Sequence, residues 1–294
     1  MRNLADVHHP RSVEEALALL AEGGGRARPL AGGTSLVFLA DPKVQALVDL
    51  SRTGLNTISL SGGNLRLGAM ATARQVARSR AVVEAGLAGL AEAAGAAGSR
   101  LLQNQITVGG NVVGVVPWAD LPPMLLALGA TCRVRGVSRT RDVAAAELFV
   151  RHPSKLIGSA EILTEVLVPR APAEAGSAFV KFGRTAVDCA LCDAAAYVEL
   201  RGREICAVRI AVGALRPLPQ RLKTAESALL GKEAGAAAFA VAARAGRDEA
   251  QIASDYRTTR EYRRELAEVL VRRALEAAVA RATGAVAGAT ARPQ

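Results

Sequence analysis

Two glycine-rich turns are the segments of this chain best suited to chemistry. Gly32-Gly33-Thr34-Ser35 and Thr107-Val108-Gly109-Gly110-Asn111 each follow apolar residues. With no side chains in the way, such turns can bring backbone N–H groups and short hydroxyls against an anion. Together they could clasp a pyrophosphate from two sides, whereas either one alone can equally be a tight bend. Neither carries a G-x-x-x-x-G-K-S/T loop, and no G-x-G-x-x-G stands between a strand and a helix. A conventional ATPase or NAD site is therefore not expected. Cys189 and Cys192 form a C-x-x-C. If residues 187–199 are a strand, positions three apart point to opposite faces, which argues against a metal site or a redox pair.

The elements that must position these turns are legible in the patterning. Capping boxes at Ser12 to Glu15, Thr72 to Gln75 and Thr258 to Glu261 mark helix starts. The first opens a helix over 13–22, closed by Gly23-Gly24-Gly25. A strand over 28–30 runs into the first turn, and a buried strand follows at 46–50. Residues 57–60 and 64–67 alternate around Ser61-Gly62-Gly63 and predict a hairpin. A helix is predicted over 81–97, a short buried helix over 121–128, and strands over 130–137 and 162–168. The two prolines within 169–176 mark a domain boundary. Beyond it, strands at 177–182, 190–200 and 205–212 precede alanine-rich helices. Tyr262, Leu266, Val269 and Leu270 give the last helix an apolar face with arginines opposite. The tail after Thr283 reads as frayed.

Composition narrows the function classes. The chain has 294 residues, 50% of them hydrophobic, enough for a large core. Its net charge of +10 invites a nucleic-acid partner, but the arginines are scattered and only 3% of residues are aromatic. That leaves few platforms for stacking bases, so nucleic acid is not expected. There is no secretory signal and no apolar run of about 18 residues, which points to the cytoplasm without a membrane segment. Four cysteines in such a length read as reduced thiols.

Several co-linear blocks carry a resemblance. They are Pro29-Leu-Ala-Gly-Gly-Thr-Ser-Leu36, Leu65-Arg-Leu-Gly-Ala-Met-Ala-Thr72, Thr107-Val-Gly-Gly-Asn111 with Pro117-Trp-Ala-Asp-Leu-Pro122, Glu161-Ile-Leu-Thr-Glu-Val-Leu-Val-Pro169, Gly176-Ser-Ala-Phe-Val-Lys-Phe-Gly-Arg184, and Ser254-Asp-Tyr-Arg257 with Glu261-Tyr-Arg-Arg264. In order and spacing the chain resembles the FAD-binding subunit of molybdenum hydroxylases, the family of carbon monoxide and xanthine dehydrogenases. The resemblance spans roughly residues 4–280 and is more specific than any single glycine turn.

The resemblance implies an α+β fold. A two-part FAD-binding domain over 1–170, with subdomains of about 1–54 and 55–170, would precede a C-terminal α+β domain over 175–284 with a three-stranded antiparallel sheet and helices. It implies FAD contacts from Arg28, Leu30, Ala31, Gly32, Gly33, Thr34, Ser35 and Leu36 at the first turn. Ile106, Thr107, Gly110, Asn111 and Val113 would contribute at the second, with Ala119 and Asp120 just beyond. Asp120 would accept hydrogen bonds from ribose or adenine, or else cap the helix before Leu121. Ile162 and Leu163 would lie near the flavin, or be ordinary core positions. Lys181 would stand close to the isoalloxazine, or be a solvated lysine.

By the same resemblance the chain is an oxidoreductase subunit that passes electrons from 2Fe–2S clusters through FAD to an external acceptor, with no residue acting as general base. Molybdopterin would sit in a large partner subunit and the 2Fe–2S clusters in a small one, since four cysteines cannot hold two clusters. A dimer of heterotrimers is the implied assembly. The sequence departs from the family where Val112-Val113-Gly114-Val115-Val116 replaces a more polar stretch, where Cys189 stands in place of an aromatic residue, and where the 101–106 approach lacks a charged residue and a glycine. These departures keep two rivals open: a free-standing FAD oxidoreductase, and a degenerate relative serving as an assembly protein.

Overall fold

The apolar patterning resolves into three sheets. The computed structural model describes residues 3–39, 41–114 and 116–284, so Val115 and the tail beyond Gly284 lie outside the described residues. Strands β1 (Asp6–His8), β2 (Ala27–Leu30) and β3 (Ala46–Asp49) form a parallel sheet in the order β1-β3-β2. Parallel neighbours need a crossover, and the Val13–Glu22 helix supplies it by burying Val13, Ala16, Leu17 and Leu20 against β2 and β3.

The second sheet is antiparallel: β4 (Ile58–Ser61), β5 (Asn64–Gly68), β6 (Thr131–Arg135), β7 (Thr140–Ala144) and β8 (Ile162–Pro169), in the order β4-β5-β8-β6-β7. The third contains β9 (Ala175–Phe182), β10 (Cys192–Arg201), β11 (Glu204–Gly213) and β12 (Gln220–Arg221) in the order β12-β11-β10-β9. The expected three-stranded antiparallel sheet is therefore four-stranded. Its extra edge strand is two residues long, too short for alternation to reveal.

Alternation gives the third sheet two apolar faces. Phe179, Ala195, Tyr197 and Ala211 join the core built on the second sheet. Ala178, Ala194, Ala196 and Val198 face the Arg260–Ala282 helix. Polar contacts close the seam on the first side. Arg281 pairs with Glu92 and donates to the Ser177 carbonyl at 2.6 Å, while Glu92 also accepts from the Phe179 N–H at 3.0 Å. Arg209 donates to Ala127 O at 2.6 Å and lies over the Tyr197 ring at 4.2 Å. Gly89 lets the Ala88–Gly95 helix approach β9 closely.

Other expectations shift locally. The helix predicted over 81–97 is two helices, Arg80–Glu84 and Ala88–Gly95, broken where Gly86 takes φ 73°. The third cap is Thr259, whose hydroxyl accepts from the Tyr262 N–H. At the first, Glu15 accepts from the Arg11 N–H rather than from Ser12. In the last helix Leu266 and Leu270 are buried, but Tyr262 is exposed and Arg263 is the buried neighbour, donating to Ala253 O and Asp255. Strands β1 and β7 were not legible; both are short and half-exposed. Among the described residues no helix is long and apolar enough to cross a membrane.

Gly89→Val tests the seam. A Cβ there would lie 2.8 Å from the Ala178 nitrogen and 2.9 Å from the Met124 sulfur. Overpacking of this kind costs about 1–3 kcal/mol, so the urea midpoint should fall; a midpoint equal to the parent's would contradict the packing described.

Candidate functional site

The first turn, residues 31–35, joins β2 to the Leu36–Leu39 helix. Gly33 sits at φ +74°, a region that favours glycine, and its carbonyl accepts from the Val37 N–H at 3.1 Å. Among the described residues, the backbone N–H groups of Gly32, Gly33, Thr34 and Ser35 meet no acceptor. Four adjacent unspent donors suit an anion with several oxygens.

The second turn is different. The Val108 N–H goes to Ala71 O at 2.9 Å, Gly109 to Ala69 O at 2.8 Å, Gly110 to Thr107 Oγ1 at 3.1 Å, and Asn111 to Thr107 O at 2.9 Å. Its donors are thus spent within the fold. What it offers toward the first turn is the bare backbone of Gly110. A Cβ on Gly110 would stand 3.9 Å from the Ala31 Cβ, and one on Gly32 would fall 1.6 Å from the Gln105 carbonyl oxygen. The two turns therefore meet, backbone against backbone. Ile106 is half-buried, with its carbonyl accepting from the Ala73 N–H at 2.8 Å. Val112 is wholly buried and Val113 partly so, both packed in the main core.

Asn111 Oδ1 accepts from the Leu121 N–H at 3.2 Å, tying the second turn to the Leu121–Leu128 helix. Immediately before that helix lie buried Ala119 and Asp120. Asp120 occupies the N-cap position but makes no side-chain cap. Its carboxylate faces Lys181 Nζ instead, at 3.1 and 3.3 Å, and the same ammonium donates to Ala96 O at 2.8 Å. Oδ1 is within ion-pair distance yet outside hydrogen-bond geometry, and so has no hydrogen-bond partner. Burial pushes Asp120 up to about 6, with the Lys181 ammonium pulling the other way. Lys181 is not a solvated lysine; its side chain is 10% exposed.

The remaining predicted positions are more dispersed. Ile162 and Leu163 are both buried, but as neighbours in β8 they point to opposite sides, Ile162 into the first sheet's core and Leu163 into the second's. Arg28 and Leu30 are half-exposed on β2, and Leu36 is half-exposed at the start of the next helix. Cys189 precedes β10 while Cys192 opens it, and both are free thiols. Sequence reading missed the Gln105 and Ala96 carbonyls, which no residue type could reveal. It also missed Gln103, which is buried and donates to the Gly95 and Gly98 carbonyls. A glutamine amid apolar residues before a glycine turn was the available signal.

Residues 2–171 match the family described as the FAD binding domain in molybdopterin dehydrogenase, and residues 177–278 match the CO dehydrogenase flavoprotein C-terminal domain. This chain belongs to the FAD-binding medium subunits of the molybdenum hydroxylases. Among its relatives in that family, the carbon monoxide dehydrogenase medium chain of Hydrogenophaga pseudoflava is 32% identical, over 94% of this chain and 97% of that one. The 6-hydroxypseudooxynicotine dehydrogenase complex subunit alpha of Paenarthrobacter nicotinovorans is also 32% identical, over 92% and 93%. The solved carbon monoxide dehydrogenase of Hydrogenophaga pseudoflava superposes with a TM-score of 0.89 at 33% identity, covering 95% of this chain and 98% of that chain. Quinoline 2-oxidoreductase from Pseudomonas putida 86 gives 0.86 at 28%, covering 96% and 98%. Membership makes the chain an oxidoreductase subunit.

Asp120 supplies the test of this geometry. Its folded pKa of about 6 lies above the ordinary 3.8. The stability it contributes is therefore present below 3.8 and is lost as pH rises through about 6. Lys181→Met would leave a buried, unpaired carboxylate, costing about 3–5 kcal/mol at neutral pH. It should also move the Asp120 midpoint upward in a carboxyl NMR titration. An unmoved midpoint would show that the pair does not form.

Proposed function

We propose that this chain binds FAD with its pyrophosphate against the N–H groups of residues 32–35, and serves as the electron-transfer subunit of a molybdopterin-dependent dehydrogenase. The observation that carries the reading is the set of unspent donors on the first turn, packed against Gly110 of the second turn and the Gln105 carbonyl before it. Such a cradle fits a dianionic linker, and the Thr34 and Ser35 hydroxyls can add donors. Bound FAD would supply an acceptor and donor of single electrons. The chain's own part is to hold and orient. Gly110 and Asn111 shape the second wall opposite Ala31 of the first, with Thr107, Ile106 and Val113 behind it. Arg28, Leu30 and Leu36 flank the first turn. Asp120 and Lys181 form the polar end, with Lys181 the cation that would favour charge on the ring, and Ala119, Ile162 and Leu163 supply apolar surroundings.

Electrons would come from 2Fe–2S clusters in a small partner subunit, after substrate oxidation in a molybdopterin large subunit, and leave to an external acceptor. The reading includes a dimer of heterotrimers in the cytoplasm. It also divides the chain into an FAD-binding unit over 1–170, with parts at about 1–54 and 55–170, and a C-terminal unit over 175–284. The valine-rich stretch does not favour a degenerate, non-binding relative. Val112 is turned wholly into the core, so its apolar character serves packing rather than lining the cradle.

Purified chain mixed with FAD should acquire the visible bands of a bound oxidised flavin and quench its fluorescence. Gly32→Ala would drive a methyl into the Gln105 carbonyl and part the turns. Affinity should fall about tenfold or more, the equivalent of about 1.4 kcal/mol. A folded parent that takes up no FAD would overturn the reading.

A further inference from the structure

One buried acid lies beside this site without a part in it. Asp193 is 0% exposed, and neither of its carboxyl oxygens has a hydrogen-bond partner. It stands directly across from Lys181 in the β9–β10 ladder and from Gly213 in the β10–β11 ladder. Directly opposed residues on one sheet face have Cβ atoms about 5 Å apart. Gly213 makes room for the acid, since a Cβ there would lie 2.6 and 2.8 Å from its two oxygens. The seam thus gathers two buried carboxyls, Asp120 and Asp193, around one ammonium.

Lys181 facing Asp193 from β9 and Asp120 facing it from the segment before the Leu121–Leu128 helix neutralise each other. From β11 comes only Gly213, and the next residues on this sheet face, Ala195 and Ala211, carry no charge. Arg263 lies toward the opposite face, where it acts on Cys192. Beyond the cluster, Cys189 feels Lys181 and Asp120 and also Arg257, whose guanidinium is held by Asp255 and the Ala190 carbonyl. Ionised Asp193 would be a second anion in a desolvated seam, and a buried group in that position neutralises itself by holding a proton. Consistent with this, burial and then the Asp120 charge push Asp193 well above the usual carboxylate range, against the pull of Lys181 and of the Gly213 backbone.

We propose that Asp193 is a positioning residue for Lys181, a neutral acid that leaves the ammonium on Asp120 and Ala96 with one N–H free for the nucleotide site. An ammonium has three donors, and two are accounted for here. When Asp193 ionises, Lys181 is drawn between two carboxylates and that free donor is withdrawn. Ligand affinity then falls as pH rises through the Asp193 ionisation. The consequence for FAD rests on the function proposed above; the coupling between Asp193 and Lys181 does not.

The experiment follows both groups in the full chain. Infrared spectra at about pH 8, where ordinary carboxyls are ionised, should show a protonated carboxylic acid band that Asp193→Asn removes. Above the Asp120 midpoint of about 6, the Lys181 ε-methylene NMR signal should shift further with rising pH in the parent and stay still in Asp193→Asn. Asp193→Ala, which fits the alanine-rich strand, gives a second variant if the first does not fold. With FAD, parent affinity should fall about tenfold or more over the pH range in which the band disappears, and the variants should show a flat profile. Absence of an Asp193-dependent band, or a Lys181 signal and FAD profile that titrate alike in parent and variants, would overturn the proposal. If no protein binds FAD while the band and the Lys181 shift behave as stated, the function proposed for the cradle fails and the Asp193–Lys181 coupling stands.

Discussion

Residue 32 must be glycine for the two turns to touch, because the Gln105 carbonyl occupies the space that a Cβ would need. This single steric constraint brings a segment following β2 against one more than seventy residues later in the chain. It fixes Ala31 opposite Gly110 and leaves the donors of residues 32–35 with no acceptor among the described residues. The surrounding architecture keeps that contact in place. The parallel sheet aims the first turn outward from β2. The second is braced by backbone bonds to Ala69, Ala71 and Ala73, and Ala69 is in turn bonded to Thr164 of β8.

The same logic of filled and unfilled partners runs along the seam toward the third sheet. Arg281, Glu92, Ser177 and Arg209 satisfy one another or nearby carbonyls, so their burial is supported. Asp120, Lys181 and Asp193 are not fully matched, with three carboxyl oxygens outside hydrogen-bond geometry. Unsatisfied buried polar groups are costly, and here they gather where β9 and β10 meet the segment before the Leu121–Leu128 helix.

Much of this was legible in the residues. Turn glycines, the Leu121–Leu128 helix and the hairpin at β4 and β5 follow from local chemistry, as do the strands β9, β10 and β11. The linear order of motif blocks carried the family. What local patterning could not show is which donors a turn spends. Both glycine turns look alike in sequence, yet only the fold reveals that the second turn's N–H groups are used by Ala69, Ala71 and Thr107. Lys181 and Asp120 pair across sixty-one residues, and Asp193 reads as one polar residue in an alanine run until the strand register sets it opposite Lys181. Arg263 eluded helical periodicity because its buried guanidinium is held through its two terminal nitrogens by a loop carbonyl and Asp255 rather than by its own helix.

The asymmetry between the turns is the central claim, and amide-resolved hydrogen exchange with and without FAD tests it most directly. In the free protein, amides 108–111 should already be protected, while 32–35 exchange fast. FAD should slow 32–35 strongly and change 108–111 little. Protection that appears first at 108–111, or no slowing at 32–35 while FAD is demonstrably bound, would contradict the account.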